Sequence, residues 1–118
     1  MPDTVRKFQP DSVAKTFFQH LDKRQYDKAY SLCQLSWKKE FNIHKMKAMF
    51  LDRYQDVQVV RNIPKTDACI DVVIAYTGRE GMEHTRLCRM IKETAPYEPS
   101  VTDDGYWGIN PTSTQRKA

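Results

Sequence analysis

Few side chains in this sequence are placed to do chemistry. Asp71 is the one carboxylate in the middle of the longest alternating run, Cys69 to Tyr76, and a carboxylate there could serve as a base in a concave pocket. Its neighbours in parity are Cys69, Val73 and Ala75, whereas Ile70, Val72, Ile74 and Tyr76 make the more uniformly apolar face. The apolar face should pack on the rest of the chain, so Asp71 is expected to point away from any pocket. Arg89 is the best candidate for anchoring an anion, because a guanidinium clamps a carboxylate with two parallel bonds. Tyr30, Trp37, Tyr76, Tyr106 and Trp107 are expected to line a cavity mouth with Arg89, their polar tips seeking partners when buried.

No catalytic residue, metal ligand or cofactor is assigned. Cys33, Cys69 and Cys88 include no Cys-x-x-Cys pair, so the close ligand spacing of a zinc site is lacking. His84 and Cys88 would share a strand face, but four residues at about 3.3 Å each hold them too far apart to clasp one metal. The three thiols read as buried and free, a Cys69–Cys88 cross-strand disulfide being the alternative in an oxidising compartment. There is no glycine-rich phosphate loop, no Gly-x-Ser-x-Gly and no His-Glu-x-x-His. His20 and His44 lie among charged residues and read as solvated.

These residues are carried by elements of two periods. Start signals at Pro10-Asp11-Ser12 open a helix whose stripe is Val13, Phe17 and Leu21. A second helix starts near Asp27, with Ala29, Tyr30 and Cys33 on one side. Trp37 falls in a polar connection closing at Phe41, and Asn42 caps a third helix striped by Ile43, Met46, Met49 and Phe50. From Val57 the period changes to two. One strand ends at Ile63-Pro64, a second holds Ile70 to Tyr76, Gly78-Arg79-Glu80-Gly81 turns, and Met82 to Thr94 returns. The loop Ala95 to Ser100 leads to a last strand, Tyr106-Trp107-Gly108-Ile109. The short links require antiparallel pairing, giving an α+β fold with three N-terminal helices on one face of a curved four-stranded antiparallel sheet.

The register of the return strand decides which arginine faces the helices. Pairing Gly78 with Gly81 puts Leu87, Arg89 and Ile91 on the inner face, which buries two strong hydrophobes and is the expected arrangement. A shift of one residue would instead turn His84, Arg86, Cys88 and Met90 inward. Either way the domain spans residues 10–112, between a flexible N-terminus (1–9) and a flexible tail (113–118).

Composition sets the outer limits. The 118 residues carry a net charge of +4, with 40% apolar and 29% charged side chains, as in one ordinary globular domain. Residues 1–54 hold 11 basic and 6 acidic side chains, and residues 55–118 hold 8 and 9. The lysines of the first half are spread over helix faces, so a nucleic-acid footprint is not expected. No apolar run reaches the ~20 residues of a membrane helix. Met1 to Gln9 lacks the apolar stretch of an export signal. The compartment therefore stays open: extracytoplasmic if an export segment has been removed, cytoplasmic otherwise.

The order of elements is similar to the cone-shaped, cystatin-like fold of the nuclear transport factor two-like superfamily. Phe17-Phe18 with Leu21, and Tyr26-Asp27-Lys28-Ala29-Tyr30, resemble a signature of its small bacterial lipoprotein members. Asp104-Gly105-Tyr106-Trp107-Gly108-Ile109 resembles its final strand. The nearest branch is that of the domains preceding the catalytic module of certain penicillin-binding transpeptidases. That resemblance implies a non-enzymatic ligand-binding or scaffold domain associated with the cell envelope, taking a small apolar or anionic ligand. A small lyase or isomerase with a hydrophobic pocket is the alternative within the same fold. A type IV secretion bridge component is another, although Thr112-Ser113 after Asn110-Pro111 departs from that family's pattern. The apolar Cys69, Val73 and Ala75 on the outward sheet face point to a homodimer formed there.

Overall fold

The computed structural model describes residues 2–93 and 105–116. The expected loop Ala95 to Ser100 lies outside the described residues. The fold is α+β: five short helices come first, followed by an open antiparallel sheet in the order β1-β2-β3-β4. The helices are α1 (Asp3–Phe8), α2 (Pro10–Asp22), α3 (Tyr26–Ser31), α4 (Leu35–Glu40) and α5 (Ile43–Met49). The strands are β1 (Gln55–Thr66), β2 (Cys69–Thr77), β3 (Glu83–Lys92), β4 (Trp107–Ile109) and β5 (Gln115–Arg116).

The longest helix follows the expected stripe. Proline opens α2, and Val13, Ala14, Phe17, Phe18 and Leu21 are all buried on one side. Its end is a Schellman motif: Gln25 N–H donates to His20 O at 2.8 Å and Arg24 N–H to Leu21 O at 3.0 Å. Arg24 there takes φ +57°, a left-handed position usually given to glycine. Asn42 caps α5 as expected, its side chain accepting from Lys45 N–H at 3.0 Å.

Two helices appear where none was expected. In α1 no residue is buried, and Arg6 fixes it from outside by stacking its guanidinium 4.6 Å over the Tyr106 ring. Trp37 belongs to α4, not to a connection. Six residues are too few to form a helix alone, and α4 is held by distant groups. Glu93, at the end of β3, accepts from both Ser36 N–H and Ser36 Oγ–H at 2.9 Å. That places a carboxylate at the positive end of α4.

The sheet differs from expectation in its register. Gly78 N–H donates to Met82 O at 2.8 Å, which leaves Arg79, Glu80 and Gly81 as a three-residue loop. Gly81 sits at φ +76°, as such loops require. Pairing Gly78 with Met82 rather than Gly81 shifts β3 by one residue, so Tyr76 opposes His84, Ile74 opposes Arg86 and Ile70 opposes Met90. His84, Arg86, Cys88 and Met90 therefore face the helices, and Leu87, Arg89 and Ile91 face outward with Asp71 and Val73. The same shift puts Cys69 and Cys88 on opposite faces, which no disulfide can bridge; all three cysteines are free.

The remaining differences concern strand ends. Strand β1 runs through Pro64 to Thr66, which its edge position allows. The tail is not free at Gln115–Arg116, where β5 continues along β3 beyond β4. The other side of β4 meets the backbone after α3: Ile109 N–H donates to Leu32 O and Gln34 N–H to Ile109 O. A Cβ on Gly108 would stand 2.7 Å from Gln34 Cα and 2.8 Å from its nitrogen.

Those neighbours are backbone atoms and cannot swing aside. Gly108→Ala is expected to destabilise the fold by about 2–3 kcal/mol, read as a lower urea midpoint with an unchanged slope. A cost below about 0.5 kcal/mol would show that this approach is looser than described.

Candidate functional site

A cavity of about 460 Å³ opens between α5 and the β2–β3 hairpin. Ala48, Met49 and Leu51 form its apolar side, His84 and Arg86 line it from β3, Tyr54 lines it from just before β1, and Asp52, Arg79 and Glu80 complete the wall. A second hollow of about 500 Å³ adjoins it and shares Ala48, Leu51, Asp52 and Arg79. Arg24, Lys47 and Arg53 line that second hollow together with Asp22, whose Oδ1 accepts from Arg53 Nε at 3.1 Å.

The inner wall is built by the aromatic core. Phe17, Phe18, Phe50, Tyr54 and Tyr76 form one cluster, with Phe18 and Tyr54 centroids 5.3 Å apart and Tyr54 and Tyr76 4.9 Å apart. Arg86 projects from β3 into this cluster and is only 8% exposed. Its guanidinium lies 5.0 Å from the Phe50 ring centre, 5.8 Å from Tyr54 and 5.9 Å from Phe18. Ring faces attract a cation but accept no conventional hydrogen bond. Arg86 Nε is buried without a partner, and no acidic side chain pairs with Arg86 among the described residues. The Tyr54 and Tyr76 hydroxyls are likewise buried without partners. Burial pushes Tyr54 above the usual tyrosine range, Arg86 opposing the shift, so its hydroxyl remains a donor at neutral pH.

The mouth is held by polar bonds. Asp52 Oδ1 accepts from Arg53 N–H at 2.8 Å and from Arg79 N–H at 2.7 Å. Arg79 Nη2 donates to Leu51 O at 2.7 Å, fastening the hairpin tip to the segment after α5. Asp52 Oδ2 and His84 Nε2 lie 2.9 and 3.0 Å from where a Gly78 Cβ would stand, so a larger residue there would have to push both side chains aside.

The expected site residues do not assemble. Tyr30 is half-buried and donates to Phe41 O at 2.7 Å, tying α3 to the end of α4. Trp37 is buried, donates to Thr112 Oγ1 at 2.9 Å and borders a separate hollow of about 360 Å³. Tyr76 stands behind the cavity wall, between Tyr54 and His84. Tyr106 lies under Arg6, and Trp107 is buried in β4. Arg89 is a correction: it lies on the outer face, where its Nε meets Asp71 Oδ1 at 2.9 Å and its Nη2 meets Oδ2 at 3.1 Å. Asp71 points outward as expected, yet it is 1% exposed and occupied by that clamp. Of the cavity residues, Asp52 and Tyr54 were given no role by sequence reasoning, and His84 and Arg86 faced inward only in the alternative register. The signal for two of them was the hairpin loop, since an Arg-Glu-Gly loop with glycine last selects the register that turns His84 and Arg86 inward.

Burial pushes the Cys33 thiol up to about 12, and burial pushes Cys88 higher still. A thiol whose folded pKa lies above its unfolded value stabilises the fold fully below the unfolded pKa, and that contribution fades as pH rises. Stability should therefore fall above pH ~8.5, by about 1.4 kcal/mol per thiol at pH ~9.5. Urea unfolding at neutral and alkaline pH reads the loss, which the double variant Cys33→Ala, Cys88→Ala should largely remove. A flat alkaline profile in the parent chain would contradict the burial of both thiols.

Comparison of the chain with protein-family models, with curated proteins and with solved structures finds no match. The chemistry of the site stands on its own geometry.

Proposed function

We propose that this chain is a non-enzymatic ligand-binding domain of the nuclear transport factor two-like type, with the cavity between α5 and the β2–β3 hairpin as its binding site. The observation that carries this reading is the sheet-side wall. It buries the Arg86 Nε and the Tyr54 hydroxyl without partners in the chain, beside a cavity whose opposite side is the apolar Ala48, Met49 and Leu51. The lyase or isomerase alternative needs a base at the cavity; Asp52 has one oxygen occupied by two backbone donors, which leaves the half-buried His84 as the group that alternative would use. An envelope location follows from the family resemblance and belongs to the same proposal.

Ala48 is exposed on α5 and borders both hollows, so Ala48→Trp should fill the cavity without disturbing the core. The dye anilinonaphthalene sulfonate, an anion with an apolar body, should bind the folded parent chain and bind the variant at least about tenfold more weakly. The thermal midpoints should stay alike. Equal dye binding by both folded proteins would remove the cavity from the proposal.

A second reading concerns the outer sheet face. Ile63, Ala75, Leu87 and Ile91 are half-buried there, around an Asp71–Arg89 pair that is already satisfied. Such a surface suits pairing with a second copy, in keeping with a homodimer. Light scattering after size exclusion should give a dimer for the parent chain and a monomer for Leu87→Glu. A parent chain that stays monomeric at high concentration would dismiss the reading.

A further inference from the structure

We infer that the ligand of this cavity is an organic monoanion, a carboxylate on an apolar body, with its carboxylate seated against Arg86. The inference rests on the binding role proposed above and adds the chemical class.

The first argument is the state of Arg86. Its side chain lines the cavity, its Nε is buried without an acceptor, and no acidic group among the described residues pairs with it. Arg89, by contrast, has a bidentate carboxylate in Asp71. The two arginines are three residues apart on β3 and project from opposite faces. On the outer face the chain supplies the anion itself. On the inner face it supplies three rings, which stabilise a cation without saturating its donors. A planar two-oxygen anion is the group that a guanidinium fork matches.

The second argument fixes the charge and the body. Formal charges on the cavity wall balance, with Arg79 and Arg86 opposed by Asp52 and Glu80. Asp52 and Glu80 repel any anion there, and a phosphate dianion more strongly than a monoanion. Ala48, Met49 and Leu51 face the sheet side across the cavity and offer the anion's body an apolar bed. Arg24 and Lys47 on the adjoining rim, with Arg53 already paired to Asp22 at 3.1 Å, leave a net positive edge that favours approach by a negative ligand.

Phenylbutyrate and its uncharged amide share one body and differ in the group that would meet Arg86. Calorimetric titration of the folded chain should give about ten- to hundredfold tighter binding of the acid. Arg86→Met should bring the two within about twofold and raise the thermal midpoint, since an uncompensated buried charge has been removed. Equal binding of acid and amide by the parent chain would overturn the carboxylate and leave the cavity reading intact. Binding of neither, in a chain that still takes the dye, would overturn it as well. Inorganic phosphate competing as strongly as phenylbutyrate would overturn the monoanion, and a lowered midpoint for Arg86→Met would make the guanidinium a structural group. The acid–amide comparison in the parent chain needs no variant to fold.

Discussion

The loop closing β2 onto β3 governs everything that follows it. With Gly81 in the left-handed region, Arg79-Glu80-Gly81 spans the turn as three residues and Gly78 pairs with Met82. Because side chains alternate strictly along a strand, that single bond assigns every residue of β3 to a face. It buries Cys88 and Met90 completely, sends Arg89 to Asp71 and carries Arg86 into the aromatic core. A two-residue turn would exchange the two arginines. Arg86 would then leave the aromatic cluster, and Asp71 would lose the Arg89 clamp.

The fold was legible where a pattern is repeated. The stripe of α2, the cap at Asn42 and the alternation of Ile70 to Tyr76 each repeat one constraint several times, and each element stands where those constraints place it. What stayed hidden depends on contacts distant in sequence. Helix α4 is held by Glu93, 57 residues away from Ser36, and α1 by Tyr106 and Trp107. No local pattern announces such anchors. The site was missed for a further reason. Aromatic residues and Arg89 were weighed by type, whereas the functional distinction lies between two arginines of equal chemistry and opposite parity. Burying two more hydrophobes in place of His84 and Arg86 favoured the other register, and turn geometry outweighed that preference.

The cavity wall shows what a binding site asks of a small core. Phe18, Phe50 and Tyr54 would pack as well around a methionine, and charge burial without a partner normally opposes folding. The chain tolerates Arg86 there because ring faces on several sides soften the loss of water. The outer face solves the same problem differently. Asp71 is almost wholly buried but fully engaged by the Arg89 fork, with Lys65 at 4.0 Å. One charge is neutralised within the chain, and the other is left open toward a cavity.

The anchoring of α4 bears on the order in which this chain assembles. Helices of six or seven residues do not persist in isolation, and four of the five helices here are of that length. The carboxylate that secures α4 arrives only with the last turn of chain leaving β3, and the strand that seals its leading edge comes later still. Early in folding, α2 and the β2–β3 ribbon are the segments able to form from near neighbours. Helices α1 and α4 would therefore settle after the sheet that holds them, contacts distant in sequence that favour slow folding.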